Sequence, residues 1–155
     1  MKIETTRFGA LEIDEESIIK MPKGPLGFED NTRFITIQHR ADTAFRWLQS
    51  VEEPSLAFVV VDPSTFMDNY DIEISDMDVE KLQLESDKDA FVLAIARIGD
   101  GGQQITLNLA APIVINSRNM MGLQIVLQDN RYAVTHPLEA ISSNTDAGTV
   151  VKVAA

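Results

Sequence analysis

The sequence predicts a mainly β protein, a highly curved antiparallel sheet or small barrel-like fold with one short capping helix, and three observations carry that prediction. Apolar and polar residues alternate with a period of two along much of the chain. Glycine, proline, asparagine and aspartate interrupt these runs at short intervals, as turns require. Only one segment joins a capping residue to helical spacing. Roughly ten short strands closed into a curved sheet leave few exposed edges, which favours a barrel over an open sheet.

The elements follow in order. Residues 2–5 read as a first strand, Phe8-Gly9 as a turn, and 10–13 and 17–21 as strands on either side of the acidic corner Asp14-Glu15-Glu16. Residues 21–30 contain two prolines and two glycines, which block ladder pairing and impose defined turns, so this is a structured loop that carries Leu26 and Phe28. Residues 33–38 and 46–50 resume β character. Residues 56–61 are apolar at every position, the pattern of a strand covered on both faces, and Asp62-Pro63 ends it. After Ile72-Glu73-Ile74, Ser75 can cap a helix starting near Asp76, with Asp76 and Asp78 at its positive end and Val79 and Leu82 on one apolar stripe flanked by Met77 or Leu84. This helix is expected to cover an opening of the sheet. Residues 91–98 form the next strand and Gly99-Asp100-Gly101-Gly102 a hairpin turn. Three strands are expected between 106 and 127, the first two separated by Ala110-Ala111-Pro112 and the last two by residues 116–122, and a final strand at 131–135. The domain is expected to span 1–138. Residues 139–155 are small and polar and are expected to form a flexible tail, although 150–153 could pair with an edge.

Composition narrows the function classes. The chain can form one domain that buries roughly 70% of its unfolded surface, and with no cysteine it forms no disulfide, thiolate metal site or cysteine nucleophile. The start lacks the apolar core of a signal peptide and no run approaches a membrane span, which reads as a cytoplasmic protein with no membrane association. The formal charge is −11, and in the stretch 68–89 nine acids face only Lys81 and Lys88. Such a potential opposes direct binding of nucleic acid and steers a basic protein partner; it also serves solubility alone.

No catalytic constellation stands out. His39 and His136 have no histidine or cysteine at ligand spacing. Asp76-x-Asp78-x-Glu80 lacks the glycine and the closing glutamate of a calcium loop, and the glycine run at 99–102 lacks the lysine of a phosphate loop. No cofactor, metal or small-molecule substrate is expected, and no enzymatic activity. Leu26 and Phe28 fit two roles, tucked against the core or offered to a partner beside Glu29 and Asp30 from a loop that loses little entropy on binding. Trp47 likewise suits core or contact, and Asn108 and Asn116 suit turn caps.

Taken together, Gly24-Pro25-Leu26-Gly27-Phe28-Glu29, Leu48-Gln49-Ser50, the run 56–63, Tyr70, the stretch 106–116, the stretch 122–127 and Tyr132 resemble the flagellar assembly factor FliW family, collinearly over about residues 1–138. Pro25-Leu26 departs from the family's more usual Leu-Pro, and the tail after Leu138 carries no motif of the resemblance. The resemblance implies a non-enzymatic regulator with two alternative protein partners. One is CsrA, a basic RNA-binding translational repressor, antagonised without occupation of its RNA site; the other is flagellin, whose export frees the regulator. The alternative is a dedicated flagellin chaperone that ignores CsrA. The residues expected to meet these partners are Leu26, Phe28 and Glu29 in the loop, and Asp71, Glu73, Asp76, Asp78 and Glu80 around the helix.

Overall fold

The computed structural model describes residues 1–38, 40–41, 43–67, 69–99, 104–128 and 131–138, and the backbone of 150–153. Among the described residues, twelve strands and one α-helix follow in the order β1 (Lys2–Thr5), β2 (Gly9–Glu12), β3 (Ile19–Lys20), β4 (Arg33–Ile37), β5 (Arg46–Ser50), β6 (Ala57–Val61), β7 (Asp71–Ile74), α1 (Asp76–Leu82), β8 (Ala90–Ile98), β9 (Ile105–Asn116), β10 (Met121–Gln124), β11 (His136–Pro137) and β12 (Val150–Val153).

The main sheet runs β10-β3-β4-β5-β6-β8-β9-β11, and β10 also pairs with β9. That second pairing closes seven strands into a barrel, which removes the edges an open sheet would expose. Every junction is antiparallel except the seam, where β10 and β3 run parallel with Met121 opposite Lys20. Gly122 lets the strands approach closely at this seam, since a Cβ there would lie 3.1 Å from Ile19 and 3.3 Å from Ile115 and press on both side chains.

Alternation along the strands sorts the core into layers. Ile19, Met21, Phe34, Leu48, Val60, Leu93, Ile113 and Ile115 fill the barrel interior. Their neighbours Val61, Val92, Ala94, Ala96, Val114 and Leu123 face the other way and form a second core with Tyr70, Ile72, Ile74, Leu82 and Leu84. β7 and α1 therefore cover the barrel wall rather than an opening. On the opposite wall, Ile3 of the β1–β2 hairpin packs with Ile18 and Ile35. Each fully buried aliphatic side chain contributes about 1.5–3 kcal/mol.

β9 differs from the expected pair of strands. It runs unbroken from Ile105 to Asn116, and Pro112 lies inside it. The interruption is one of register: Leu93 opposes Ile113 while Ile95 opposes Asn108, so three extra residues bulge from β9. Asn108 Oδ1 accepts from the amides of Ala110 (3.2 Å) and Ala111 (3.1 Å) and satisfies the looped-out backbone. An odd number of extra residues reverses the faces, so Leu107 and Leu109 join the outer core whereas Ile113 and Ile115 fill the barrel. Two further differences are local. Residues 15–17 form a 3₁₀ turn capped by Asp14, which shortens the strand expected at 17–21 to β3. Residues 131–135 form turns: Tyr132 packs against the outer core, Ala133 O accepts from Leu109 N of β9 at 3.0 Å, and the strand follows at β11. The hairpin expected at 99–102 closes through Gly99 N to Gln104 O, while residues 100–103 lie outside the described residues, as do His39 and the tail positions 139–149.

Candidate protein-interaction site

Ser75 starts α1 as its sequence requires: the hydroxyl accepts from Asp78 N at 3.2 Å, with Asp76 and Asp78 in the first turn. The helix stops at Gln83, whose φ of 56° turns the chain left-handed. Leu82 is completely buried and Val79 half-buried, as the predicted stripe demands; Leu84 is buried, and Met77 is 69% exposed. The barrel holds the free carbonyls at the helix end. Asn116 Nδ2 donates to Leu82 O (2.9 Å) and Gln83 O (3.2 Å), and Asn119 Nδ2 donates to Leu82 O (3.1 Å).

Tyrosines hold β7. Tyr70 is completely buried and donates from its hydroxyl to Leu109 O at 2.5 Å. Its ring meets Tyr132 edge to face at 4.7 Å, and the Tyr132 hydroxyl accepts from Asp71 N at 2.8 Å. Burial, helped by the neighbouring Tyr132, holds the Tyr70 phenol above its ordinary pKa, so it remains a neutral donor through physiological pH.

This layer and the chain leaving β10 enclose a groove of about 740 Å³ lined by Asp71, Ile72, Glu73, Ser75, Asp76 and Asp78 on one side and residues 125–128 with Arg131 on the other. The facing segment is fixed by Ile125 N to Pro112 O (2.9 Å) and Leu127 N to Ala110 O (2.8 Å). Four of the expected partner-binding acids thus share one groove, and Glu80, exposed on the same helix, does not line it. The sequence reading missed Ile125, Val126, Leu127, Gln128 and Arg131. One signal was available: Val126 is apolar on the outward face of an alternating run, and it is 56% exposed. Arg131 stacks on Tyr132 with its guanidinium carbon 5.2 Å from the ring centroid.

The loop residues lie outside the groove. Leu26 is 55% exposed and Phe28 is 42% exposed, and the Phe28 ring leans edge-on against Phe58 at 5.3 Å, so Phe28 combines the two roles considered for it. Glu29 accepts from Gly27 N at 3.0 and 3.2 Å, which supports the φ of +88° at Gly27. The loop is tied to the barrel through Gln124, whose Oε1 accepts from Leu26 N (2.7 Å) and whose Nε2 donates to Ala111 O (3.0 Å). Trp47 is half-buried between Phe8 and Arg7. The resemblance motif Gln49-Ser50 is structural: buried Gln49 Nε2 donates to the carbonyls of Ser50, Pro54 and Leu56, and Ser50 Oγ donates to Asn31 Oδ1. Among the described residues no three histidine or acidic side chains gather so as to hold a metal ion, and no helix is long and apolar enough to cross a membrane.

Fold and groove define a small closed β barrel with an acidic external face. The family model described as FliW protein matches residues 2–138. A flagellar assembly factor FliW of Alkaliphilus metalliredigens is 42% identical over 88% of this chain and 85% of its own length. Another from Desulfitobacterium hafniense is 37% identical over 96% and 99%. A crystal structure of the flagellar assembly factor FliW superposes with a TM-score of 0.82 at 35% identity, covering 89% of this chain and 96% of the other. The chain belongs to the FliW family of flagellar assembly factors.

Proposed function

We propose that this protein is a cytoplasmic, non-enzymatic regulator of flagellar assembly that binds CsrA through its acidic face, without competing for the RNA site, and is alternatively bound by flagellin. The observation that carries this reading is the gathering of Asp71, Glu73, Asp76 and Asp78 in one groove beside the exposed helix residue Glu80. A surface of that sign steers a basic RNA-binding protein toward itself and makes the potential along a bound RNA's path unfavourable. Leu26 and Phe28, with Glu29 beside them, supply a separate apolar contact from a pinned loop, which costs little ordering entropy. Two separate surfaces also suit two alternative partners.

The test is stopped-flow association with purified CsrA. Replacing Asp76, Asp78 and Glu80 by lysine changes the local charge by two units at each position and is expected to slow association by about tenfold or more at low salt, with the difference shrinking as salt rises. Unchanged association and salt dependence would remove the electrostatic mechanism. Binding to flagellin without any binding to CsrA would identify the dedicated flagellin chaperone instead.

A further inference from the structure

β7 has one strand partner among the described residues, and that partner is β12. The two run parallel, with Val150 opposite Asp71, Val151 opposite Ile72, Lys152 opposite Glu73 and Val153 opposite Ile74. This pair is a two-stranded sheet outside the barrel. Parallel pairing is the weaker kind per residue, and a two-stranded sheet is marginal alone.

β7 stays in place by other means. Ile72 and Ile74 are buried against the barrel wall, Tyr132 accepts the Asp71 amide, and α1 follows directly. Departure of β12 would therefore leave an ordered strand with a row of unpaired backbone donors and acceptors, the template for strand addition. The family match ends at Leu138, so the receiving edge belongs to the matched region and β12 lies beyond it.

The resident strand also shows what the edge accepts. Val-Val-Lys-Val is β-branched at three of four positions, and its lysine stands at the register position of Glu73. With Asp71, Glu73, Asp76 and Asp78 on or beside β7, a cationic segment is favoured and an acidic one opposed. We propose that the edge of β7 is a strand-acceptor site for an extended, β-branched, cationic segment of a partner protein lying parallel to β7, and that β12 is its resident occupant, which the partner displaces. As an account of how the acidic face receives a protein, this rests on the proposed function; the measurement below contains no partner and is decided separately.

The probe is a synthetic peptide of residues 146–155, and its binding to the full-length chain is followed by fluorescence anisotropy. In the first variant Val151→Pro and Lys152→Pro are combined, because removal of two consecutive amide donors breaks the ladder whichever of them bonds to β7. A docked tail that fills its site for about 90% of the time or more weakens an external peptide by about tenfold or more, in proportion to the vacant fraction. The double-proline chain is therefore expected to bind the peptide at least about tenfold more tightly than the unaltered chain. The Lys152→Glu chain, a gentler change, is expected to fall between the two, and a peptide with the same Lys152→Glu change is expected to bind the double-proline chain more weakly than the original peptide. Added peptide should restore amide protection in β7 of the double-proline chain. If neither variant takes the peptide more tightly than the unaltered chain, or if the Lys152→Glu peptide binds as well as the original, the acceptor site is overturned.

Discussion

Replacing Tyr70 with phenylalanine removes one oxygen atom at the point where β7 is fixed to the barrel. The ring remains between the same neighbours, so packing is preserved and the perturbation is the lost hydrogen bond to Leu109 O. The site is completely buried, so water does not replace the donor. A buried acceptor left without its partner costs roughly 1–3 kcal/mol, partly offset because the hydroxyl no longer has to be desolvated, which leaves about 1.5 kcal/mol. For a chain of this length each kcal/mol lowers Tm by about 2–4 °C, so calorimetry is expected to show a fall of about 3–6 °C. Tyr132→Phe is the control. It deletes the acceptor for Asp71 N at a half-buried position that water reaches, and is expected to cost about 0.5–1 kcal/mol. Amide exchange should separate the two: Asp71 N–H loses protection most in Tyr132→Phe, whereas Tyr70→Phe loosens the whole layer. A Tyr70→Phe chain that melts within about 1 °C of the unaltered protein would refute the assignment of this bond as the tie of the acidic layer to the barrel.

Three other perturbations test the loop and its surroundings. Gly24→Ala places a Cβ inside contact distance of the Asn31 and Phe28 carbonyl oxygens, so the loop must move; thermal unfolding is expected to show a loss of about 1–3 kcal/mol, and a spectroscopic label near Leu26 should report greater motion. Gln124→Ala removes both the acceptor for Leu26 N and the donor to Ala111 O, and is expected to speed exchange of the Leu26 amide while leaving the association rate with a basic protein unchanged, since no groove charge is altered. Glu52 accepts from Thr32 N (2.8 Å) and Arg33 N (3.1 Å), and the Thr32 amide chiefly holds its carboxyl below its ordinary value of 4.5. A pKa lowered by folding gives stability that is complete above the unfolded value and lost as pH falls through the folded one. Denaturation midpoints should therefore decline below pH 4.5, with a shallower decline in Glu52→Gln than in the unaltered chain.

What the sequence showed, and what it hid, divides along the range of the interaction. Ser75, Val79 and Leu82 announce α1 because cap and stripe are local. The apolar runs of β6 and β8 are legible because each face packs on a different core. Closure of the barrel is not legible, since the seam joins Lys20 to Met121 and nothing in either local pattern encodes the meeting. Pro112 was misleading for a related reason. A missing amide hydrogen marks a strand end only where the ladder needs that donor; here Pro112 serves as an acceptor, and Asn108 satisfies the bulge before it. The acid side of the groove followed from charge density. Its far side, 125–128 with Arg131, required knowledge of which strand lies opposite β7, and the exposed Val126 was the trace left in the sequence.

The acidic groove residues and the fold-determining residues are thus separated by layer. The barrel interior is lined by apolar side chains, and the polar side chains that close its joints, Gln49, Ser50, Asn108 and Asn116, make hydrogen bonds to backbone. Charge sits on the added layer of β7 and α1, which is attached by two tyrosines, two asparagines and a strip of aliphatic contact. Such a layer can change its surface charge without disturbing the barrel, because exposed acids contribute little to stability while buried joints contribute much. The loop that carries Leu26 and Phe28 reaches the barrel through Gln124, the last residue of β10, and the next four residues form the groove wall. The two candidate contact surfaces therefore adjoin one stretch of backbone, residues 124–128, and Gln124→Ala alters the loop side of it without removing a charge from the groove.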